Sequence, residues 1–184
     1  VLDKFWFGNK LKKDKNLKII KLNVNDIEKI NLKNFNTIVH LANIANDPAA
    51  ELDPKLTWET NVLYTKKLIE HAIKHKVKKF IFASSGSVYG IKKEKKVTEN
   101  LKLLPITDYN KSKMICEKVI ETYKEKLKII ILRPATVCGA SERLRLDVVL
   151  NLFCYQAFFK KEINILGGKQ IRPLLHIKDM IGSY

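Results

Sequence analysis

Short apolar runs alternate along the chain with longer stretches in which apolar positions recur at helical spacing. The runs are rich in β-branched residues, which is typical of strands. In residues 54–75 and 108–126 the apolar positions recur every three or four residues, which predicts amphipathic helices. Because strands buried on both faces read as continuous apolar runs, this alternation predicts a doubly wound α/β fold with a parallel sheet and right-handed crossovers. The clearest predicted strands are residues 18–24, 37–42, 79–84 and 128–134.

The pattern changes after the segment "RPATVCG", residues 133–139. A helical stretch, "LDVVLNLFCYQAFF" at 146–159, follows it, and then a short run, "INILGG" at 163–168. We therefore predict a main α/β domain over residues 1–140. Residues 141–184 are expected to form part of a smaller region that covers a substrate and returns to the main domain.

The charge of the chain is strongly positive, at +16 over 184 residues. Only four of the 35 basic residues are Arg, and the other 31 are Lys, dispersed among carboxylates rather than gathered in one stripe. Sites that read bases or clamp phosphates favour the planar fork of Arg. The composition therefore indicates a solvated lysine surface, which attracts anions generally, and no nucleic-acid partner.

The remaining composition indicates a soluble, cytoplasmic protein. Apolar runs such as "IIIL" at 129–132 are far shorter than the roughly 18 residues of a membrane span, so we expect no membrane partner. The three cysteines form no C-x-x-C pair and lack nearby His ligands, so buried thiols in a reducing compartment and no metal site are expected. The chain opens "VLDKFWFGNK", without Met or a signal sequence, which suggests an excerpt of a longer protein.

Small or polar residues follow each predicted strand. They are Asp3, Asp26 and the segments 41–43, 84–87 and 134–139. In doubly wound sheets, ligands bind beyond the carboxyl ends of the strands. A binding site is therefore expected where these segments meet.

Tyr109 and Lys113, in "DYNKSK", are candidates for a catalytic acid/base pair. The spacing alone decides nothing, because Tyr89 and Lys93 repeat it. Tyr109 stands at the start of a predicted helix, so Lys113 lies one turn on and shares its face. Tyr89 instead precedes Gly90 at the end of a strand, where nothing holds Lys93 beside it. Context therefore favours the first pair.

A tyrosine has an ordinary pKa near 10, so acting as a base near neutral pH requires a pKa lower by about 3 units, roughly 4 kcal/mol. A neighbouring ammonium shifts the pKa of a tyrosine in that direction. A hydroxyl would complete the set, and Ser84, Ser85 and Ser87 stand at the end of a strand. The structural alternative is a tyrosine packed on a helix face beside a solvated lysine.

Four segments occur in a specific order over nearly the whole chain: "FIFASSGSVYG", "DYNKSK", "ILRPATVCG" and "GGKQIRPLLHIKDM". Together they resemble the extended short-chain dehydrogenase/reductase family, specifically its NAD-dependent nucleotide-sugar epimerases and dehydratases. The resemblance implies an enzyme with a Rossmann-like fold. It implies Tyr109 as the base, Lys113 as the residue that lowers its pKa and binds the nicotinamide ribose, and Ser85 as the hydroxyl partner. Ser85 is preferred because the catalytic Ser/Thr of the family stands four residues before the Tyr of V-Y-G.

The resemblance also implies NAD as the cofactor. Asp3 ends what resembles the second strand of the family, where a carboxylate binds the adenosine ribose and repels a 2′-phosphate, so NAD is favoured over NADP. A surface turn is the alternative role for Asp3. No Gly-rich phosphate loop occurs in the chain, and we expect it upstream of Val1, so that this excerpt alone would bind NAD poorly. By resemblance the cofactor contacts are Asp3, Lys4, Asn9, Asp26, Ile27, Leu41, Ala42, Thr60, Asn61, Ser84, Tyr109, Lys113 and Pro134.

The expected substrate is a nucleotide-diphosphate sugar. Dehydratases of the family carry Asp-Glu after the catalytic hydroxyl residue, whereas this chain has Gly86 and Ser87, neither of which titrates. Epimerisation through a transient keto-sugar is therefore favoured, within polysaccharide biosynthesis and in a homodimeric full-length protein. Thr136 stands where many sugar-nucleotide enzymes of the family place Asn against the diphosphate. By resemblance the substrate contacts are Ser85, Ser87, Thr136, Arg143, Arg145 and Arg172.

Three alternatives stay open at this point. A dehydratase or a dehydrogenase/reductase of the same family would use the same Ser, Tyr and Lys. A non-catalytic NAD-sensing or scaffold protein would share the fold, although loss of one of these three residues would then be expected.

Overall fold

Seven short strands and six α-helices follow one another in the computed structural model, which describes all residues from Val1 to Tyr184. The strands are β1 (Leu2–Asp3), β2 (Ile20–Lys21), β3 (Thr37–His40), β4 (Lys79–Ala83), β5 (Lys128–Leu132), β6 (Thr136–Cys138) and β7 (Leu174–His176). The helices are α1 (Asp47–Leu52), α2 (Pro54–Trp58), α3 (Tyr64–Lys74), α4 (Asp108–Glu121), α5 (Val149–Tyr155) and α6 (Ile177–Ser183). Short 3₁₀ helices occur at Val24–Lys29 and Gly86–Tyr89, and π-helical turns occur at Glu59–Leu63 and Gln156–Lys160.

Every strand pairing is parallel. The ladders are β1 with β2, β3 with β4 and β5, and β6 with β7. Strand β4 lies between β3 and β5 and is buried over Phe80, Ile81 and Phe82, as its continuous apolar run predicts. Helices connect successive parallel strands, α1 to α3 before β4 and α4 before β5. The predicted α/β fold with a parallel, Rossmann-like sheet is confirmed.

The bounds of the elements differ from the predicted ones for local reasons. Strand β2 is short because Asn23 caps the next 3₁₀ helix, where its side chain accepts from the Asn25 N–H. Helix α4 ends at Glu121 because the Thr122 hydroxyl donates to the Val119 carbonyl and competes with the helical ladder. Residues 163–168 form no strand, and a bend occurs at residues 166–168.

The chain divides into two units, each described by itself. The first comprises Val1–Trp6 and Leu11–Arg133, and the second comprises Phe7–Lys10 and Pro134–Tyr184. In the first unit, α3 and α4 pack with β4 around one apolar core. The domain boundary at residue 140 stays a prediction from the sequence, because this division into units does not test it.

None of the helices is both long and apolar enough to span a membrane.

Candidate active site

Helix α4 presents Tyr109 and Lys113 on one buried face. Thr107 caps the helix, with its hydroxyl accepting from the Asn110 N–H at 3.2 Å, which fixes where the first turn begins. The two side chains lie one turn apart, and only 9% of Tyr109 and 3% of Lys113 is exposed. Tyr109 packs in a small cluster with Ile44 and Ala50.

The ammonium of Lys113 is held by oxygen atoms from two other segments. Its Nζ donates to Asn43 Oδ1 and to the Ala83 carbonyl, both at 2.6 Å, and lies 4.8 Å from the centre of the Phe82 ring. Burial lowers the pKa of Lys113 to about 8, although the nearby Cys116 and Glu117 side chains act in the opposite direction. A lysine in this environment is a charged group whose protonation changes close to physiological pH.

Ser85 lies two residues beyond Ala83, the last residue of β4, whose carbonyl anchors Lys113. It caps the 3₁₀ helix Gly86–Tyr89, and its Oγ accepts from the Ser87 N–H at 3.2 Å and lies 2.7 Å from Ser87 Oγ. Both serines are half-buried. The end of this turn requires Gly90, because its φ is +69° and a Cβ there would clash with the Leu104 carbonyl oxygen.

The alternative pair, Tyr89 and Lys93, does not form a site. Tyr89 is buried, and its hydroxyl accepts from Arg133 Nη1 at 2.8 Å, whereas Lys93 is exposed. The identical spacing in sequence therefore has different outcomes, because Tyr109 and Lys113 both lie within α4, whereas the 3₁₀ helix that contains Tyr89 ends before Lys93.

A buried ion pair behind the serines was not foreseen from sequence. Glu117, 2% exposed, accepts from Arg133 through Nε and Nη2, at 3.0 and 2.7 Å. The same carboxylate accepts from the Ser84 hydroxyl. The bidentate pairing raises the pKa of Arg133. Two signals were available: Glu117 follows Lys113 by four residues on the buried face of α4, and Arg133 follows the apolar run of β5.

Asn61, predicted to contact the cofactor, has its side chain in an internal network. Its amide accepts from the Ile44 N–H at 2.8 Å and donates to the Ile44 carbonyl at 3.1 Å and to Ser112 Oγ at 3.0 Å. Thr60, half-buried, shares the π-helical turn Glu59–Leu63. This turn therefore ties the segment after β3 to α4, since Ser112 lies on that helix.

The other residues predicted at the cofactor lie mainly at strand ends of the first unit. Asp3 is exposed at the end of β1 and accepts from the Phe5 N–H at 2.5 Å. Asp26 pairs with Lys29 at 3.0 Å, and Ile27 is buried in the apolar core, so its side chain is inaccessible to a ligand. Lys4 and Leu41 are exposed, and Ala42 is half-buried.

Six predicted residues lie in the second unit. Arg143 stacks on the Phe7 ring at 3.2 Å, and Arg145 Nη2 pairs with Asp147 at 2.6 Å. Asn9 and Arg172 are exposed, whereas Pro134 and Thr136 are half-buried. A cavity of about 360 Å³ in this unit is lined mostly by apolar residues and by none of these six. No group of three or more His, Cys, Asp or Glu side chains is placed to hold a metal ion.

Comparison with known proteins identifies relatives along the whole chain. The model of the NAD dependent epimerase/dehydratase family matches residues 1–183. A Bacillus subtilis protein described as "Uncharacterized UDP-glucose epimerase YtcB" is 36% identical over 124 residues, 66% of this chain and 38% of that protein.

Solved structures extend the similarity. A UDP-N-acetylglucosamine 4-epimerase from Methanobrevibacter ruminantium, in complex with UDP-N-acetylmuramic acid, is 27% identical with a TM-score of 0.88, over 99% of this chain and 62% of that one. A UDP-glucuronic acid 4-epimerase from Bacillus cereus, in complex with UDP-glucuronic acid and NAD, is 29% identical with a TM-score of 0.80, over 91% and 54%.

The chain thus spans between 38% and 62% of the length of these relatives. The match of the family model over residues 1–183 shows that the chain belongs to the NAD dependent epimerase/dehydratase family.

Proposed function

We propose that the full-length protein is an NAD-dependent enzyme that epimerises a nucleotide-diphosphate sugar through a transient keto-sugar. The observation that carries this proposal is the arrangement around Lys113, which shares a buried helix face with Tyr109 and is anchored to the Ala83 carbonyl, two residues before Ser85. The contact between Lys113 and Ala83 supports a cation at the segment that carries Ser85, one helical turn from Tyr109 as the proposed base. Membership of the family supports the same chemistry.

The chemistry of the donor set fits NAD. An ammonium has three N–H donors, and the bonds from Lys113 to Asn43 and Ala83 use two of them, so one can serve a ribose hydroxyl. At the end of β1, the exposed Asp3 carboxylate is an acceptor for the hydroxyls of the other ribose. Ser84 and Asn61 have their side chains in internal hydrogen bonds, so we assign them to shaping the site.

NAD, when bound, would supply a reversible hydride acceptor for the sugar. In the proposed mechanism, Tyr109 takes the proton from the sugar hydroxyl through its phenolic oxygen and later gives it back. The positive charge of Lys113 stabilises the phenolate. Ser85, held at 2.7 Å by Ser87, donates to the reacting oxygen of the sugar.

The substrate class is supported by the chemistry of the second unit and by the ligands of the relatives. Two solved relatives are complexes with UDP-linked compounds. Guanidinium groups suit diphosphates because they donate two parallel hydrogen bonds. We propose Arg143 and Arg172 for this role, with Arg145 held in place by Asp147. Thr136 would contact the diphosphate through its one hydroxyl. The amide of an Asn at this position would offer more hydrogen bonds.

The test is the product that the full-length protein forms. With NAD and a panel of UDP-sugars, we expect a stereoisomer of unchanged mass, because Gly86 and Ser87 supply no titrating group for elimination. We also expect no net release of NADH, because epimerisation regenerates NAD in each cycle. Mass spectrometry with chromatographic separation of isomers, and absorbance of NADH, measure both. A product lighter by one water would instead establish a dehydratase, and NADH in stoichiometric amounts would establish a dehydrogenase.

A second prediction concerns the choice of cofactor. In the full-length protein, Asp3→Ala should weaken NAD binding and reduce discrimination against NADP, because the ribose loses an acceptor and the 2′-phosphate loses a repelling charge. Calorimetric titration with both cofactors measures this. Asp14→Ala is a matched control, since Asp14 also accepts from an N–H two residues on, at 2.7 Å from Asn16 N. Equal effects of the two variants would mean that Asp3 acts only as a turn residue.

The homodimer, the cytoplasmic location and the role in polysaccharide biosynthesis stay predictions from the sequence.

A further inference from the structure

Asn43, which follows β3, is placed to control the ammonium of Lys113. Its Oδ1 is 2.6 Å from Lys113 Nζ, across 70 residues of sequence. The other oxygen on that ammonium is a backbone carbonyl, Ala83 O, also at 2.6 Å. Of the two acceptors, only Asn43 is a side chain. A substitution of Asn43 therefore changes the environment of Lys113 and leaves the backbone at β4 unchanged.

The orientation of the Asn43 amide is fixed from its other end. Nδ2 donates to the Ala42 carbonyl at 2.8 Å and lies 3.5 Å from Nε2 of His40. A flipped amide would place its oxygen against the Ala42 carbonyl and its NH₂ against an ammonium, so two favourable contacts would become two repulsive ones. His40 is itself held by Thr65, whose Oγ1 lies 2.7 Å from Nε2.

We propose that Asn43 is a positioning residue, which holds the Lys113 ammonium in its charged form at the carboxyl end of β4. The kinetic consequence of this inference rests on the proposed function, because it concerns the Lys that is assigned to support Tyr109. The contact itself and its effect on the protonation of Lys113 do not depend on the reaction.

The titratable groups around Lys113 agree with this role. From β3, His40 faces it, and burial together with the charge of Lys113 lowers the pKa of His40 to about 3, so the imidazole adds no second positive charge. From α4 itself, Cys116 and Glu117 favour the charged ammonium, but Glu117 is engaged by Arg133. Asn43 supplies a hydrogen bond that favours the ammonium over the neutral amine.

Opposite substitutions of Asn43 test the inference. Asn43→Ala removes the acceptor and should lower the pKa of Lys113 by about one unit, the size that a hydrogen bond to a charged group produces. Asn43→Asp places a carboxylate at the same position and should raise it by about one unit or more. The measurement is NMR titration of the full-length protein with isotope-labelled lysine, in which Lys113→Met identifies the signal of Lys113.

Asn46→Ala is the matched control, because Asn46 lies in the same segment but accepts from the Ala49 N–H as the cap of α1. It should leave the titration of Lys113 unchanged. Shifts of the same sign in both Asn43 variants, or none, would overturn the inference. If Asn43→Ala does not fold, Asn43→Asp decides alone, and the absence of an upward shift overturns it.

Kinetics separate this inference from the proposed function. In an active epimerase, Asn43→Ala should lower kcat at neutral pH by about tenfold with little change in KM, because the ground-state contacts of the sugar are retained. It should also move the pH profile of kcat in the direction of the NMR shift. A wild-type protein without epimerase activity would contradict the proposed function alone, whereas an active wild type with unshifted Asn43 variants would overturn the inference alone.

Discussion

Replacing Tyr109 with phenylalanine is expected to lower kcat of the full-length protein by about 10² to 10⁴, the usual contribution of a positioned acid/base group. The substitution removes one oxygen atom and retains the ring that packs against Ile44 and Ala50. Lys113 keeps its anchors on Asn43 and Ala83, so the cofactor side of the site is expected to stay intact. The affinity for NAD should therefore change little, and the effect should appear in kcat.

Tyr123→Phe provides the control for this experiment. Tyr123 follows the same helix, and its hydroxyl donates to Glu70 at 2.8 Å, so the control also loses one tyrosine hydroxyl and one hydrogen bond. Its kcat should remain within about twofold of the wild type, since substitutions at the surface and away from the candidate site have small effects. A Tyr109→Phe variant with wild-type kcat and folded structure would exclude Tyr109 as the base.

The second large effect is expected at the buried ion pair. Glu117→Ala should reduce the free energy of unfolding by about 3–5 kcal/mol, because it leaves the Arg133 guanidinium, whose side chain is 19% exposed, without its charged partner. The Ser84 hydroxyl and Glu117 are also hydrogen bonded, so the segment that carries Ser85 loses an anchor as well. Urea unfolding followed by circular dichroism measures this change.

Two further variants show whether the pair itself is responsible. Glu117→Leu combined with Arg133→Met removes both charges, and it should recover much of the lost stability, because an apolar pair of similar volume replaces a buried ion pair at small cost. Lys66→Ala breaks the exposed Lys66–Glu70 pair and should reduce stability far less than Glu117→Ala, because solvent screens an exposed ion pair. A double variant that is no more stable than Glu117→Ala would contradict this account.

The candidate site could be predicted where its geometry is local. Residues four apart on a helix share a face whatever surrounds them, so "DYNKSK" was sufficient to pair Tyr109 with Lys113 once a helix was predicted there. The rejection of Tyr89 and Lys93 was local too, since their segment ends in a turn at Gly90. The position after an apolar run offered Ser84, Ser85 and Ser87 as hydroxyl partners, the family resemblance favoured Ser85, and the contact between Ser85 and Ser87 is seen only in the structure.

The partners that tune these residues could not be predicted in this way. Lys113 reaches Asn43 across 70 residues and Ala83 across 30, and Asn61 reaches Ser112 across 51. Such contacts form only when the connections between the strands bring the end of a particular strand beside a particular face of a helix. Asn61 and Ser84 were predicted to contact the cofactor, and only the structure shows that their side chains also bond to neighbouring elements.

The sequence by itself determined the fold class, the family and the order of its elements. Apolar residues that recur every two residues in a strand, or every three to four in a helix, indicate burial of one face of that element. This information is local to each segment. The tertiary structure decided the protonation environment, because a pKa depends on burial and on every charged or hydrogen-bonding group within a few ångströms. Thus Lys113 is one of 31 lysines in sequence, and its burial in the folded protein is what lowers its pKa to about 8.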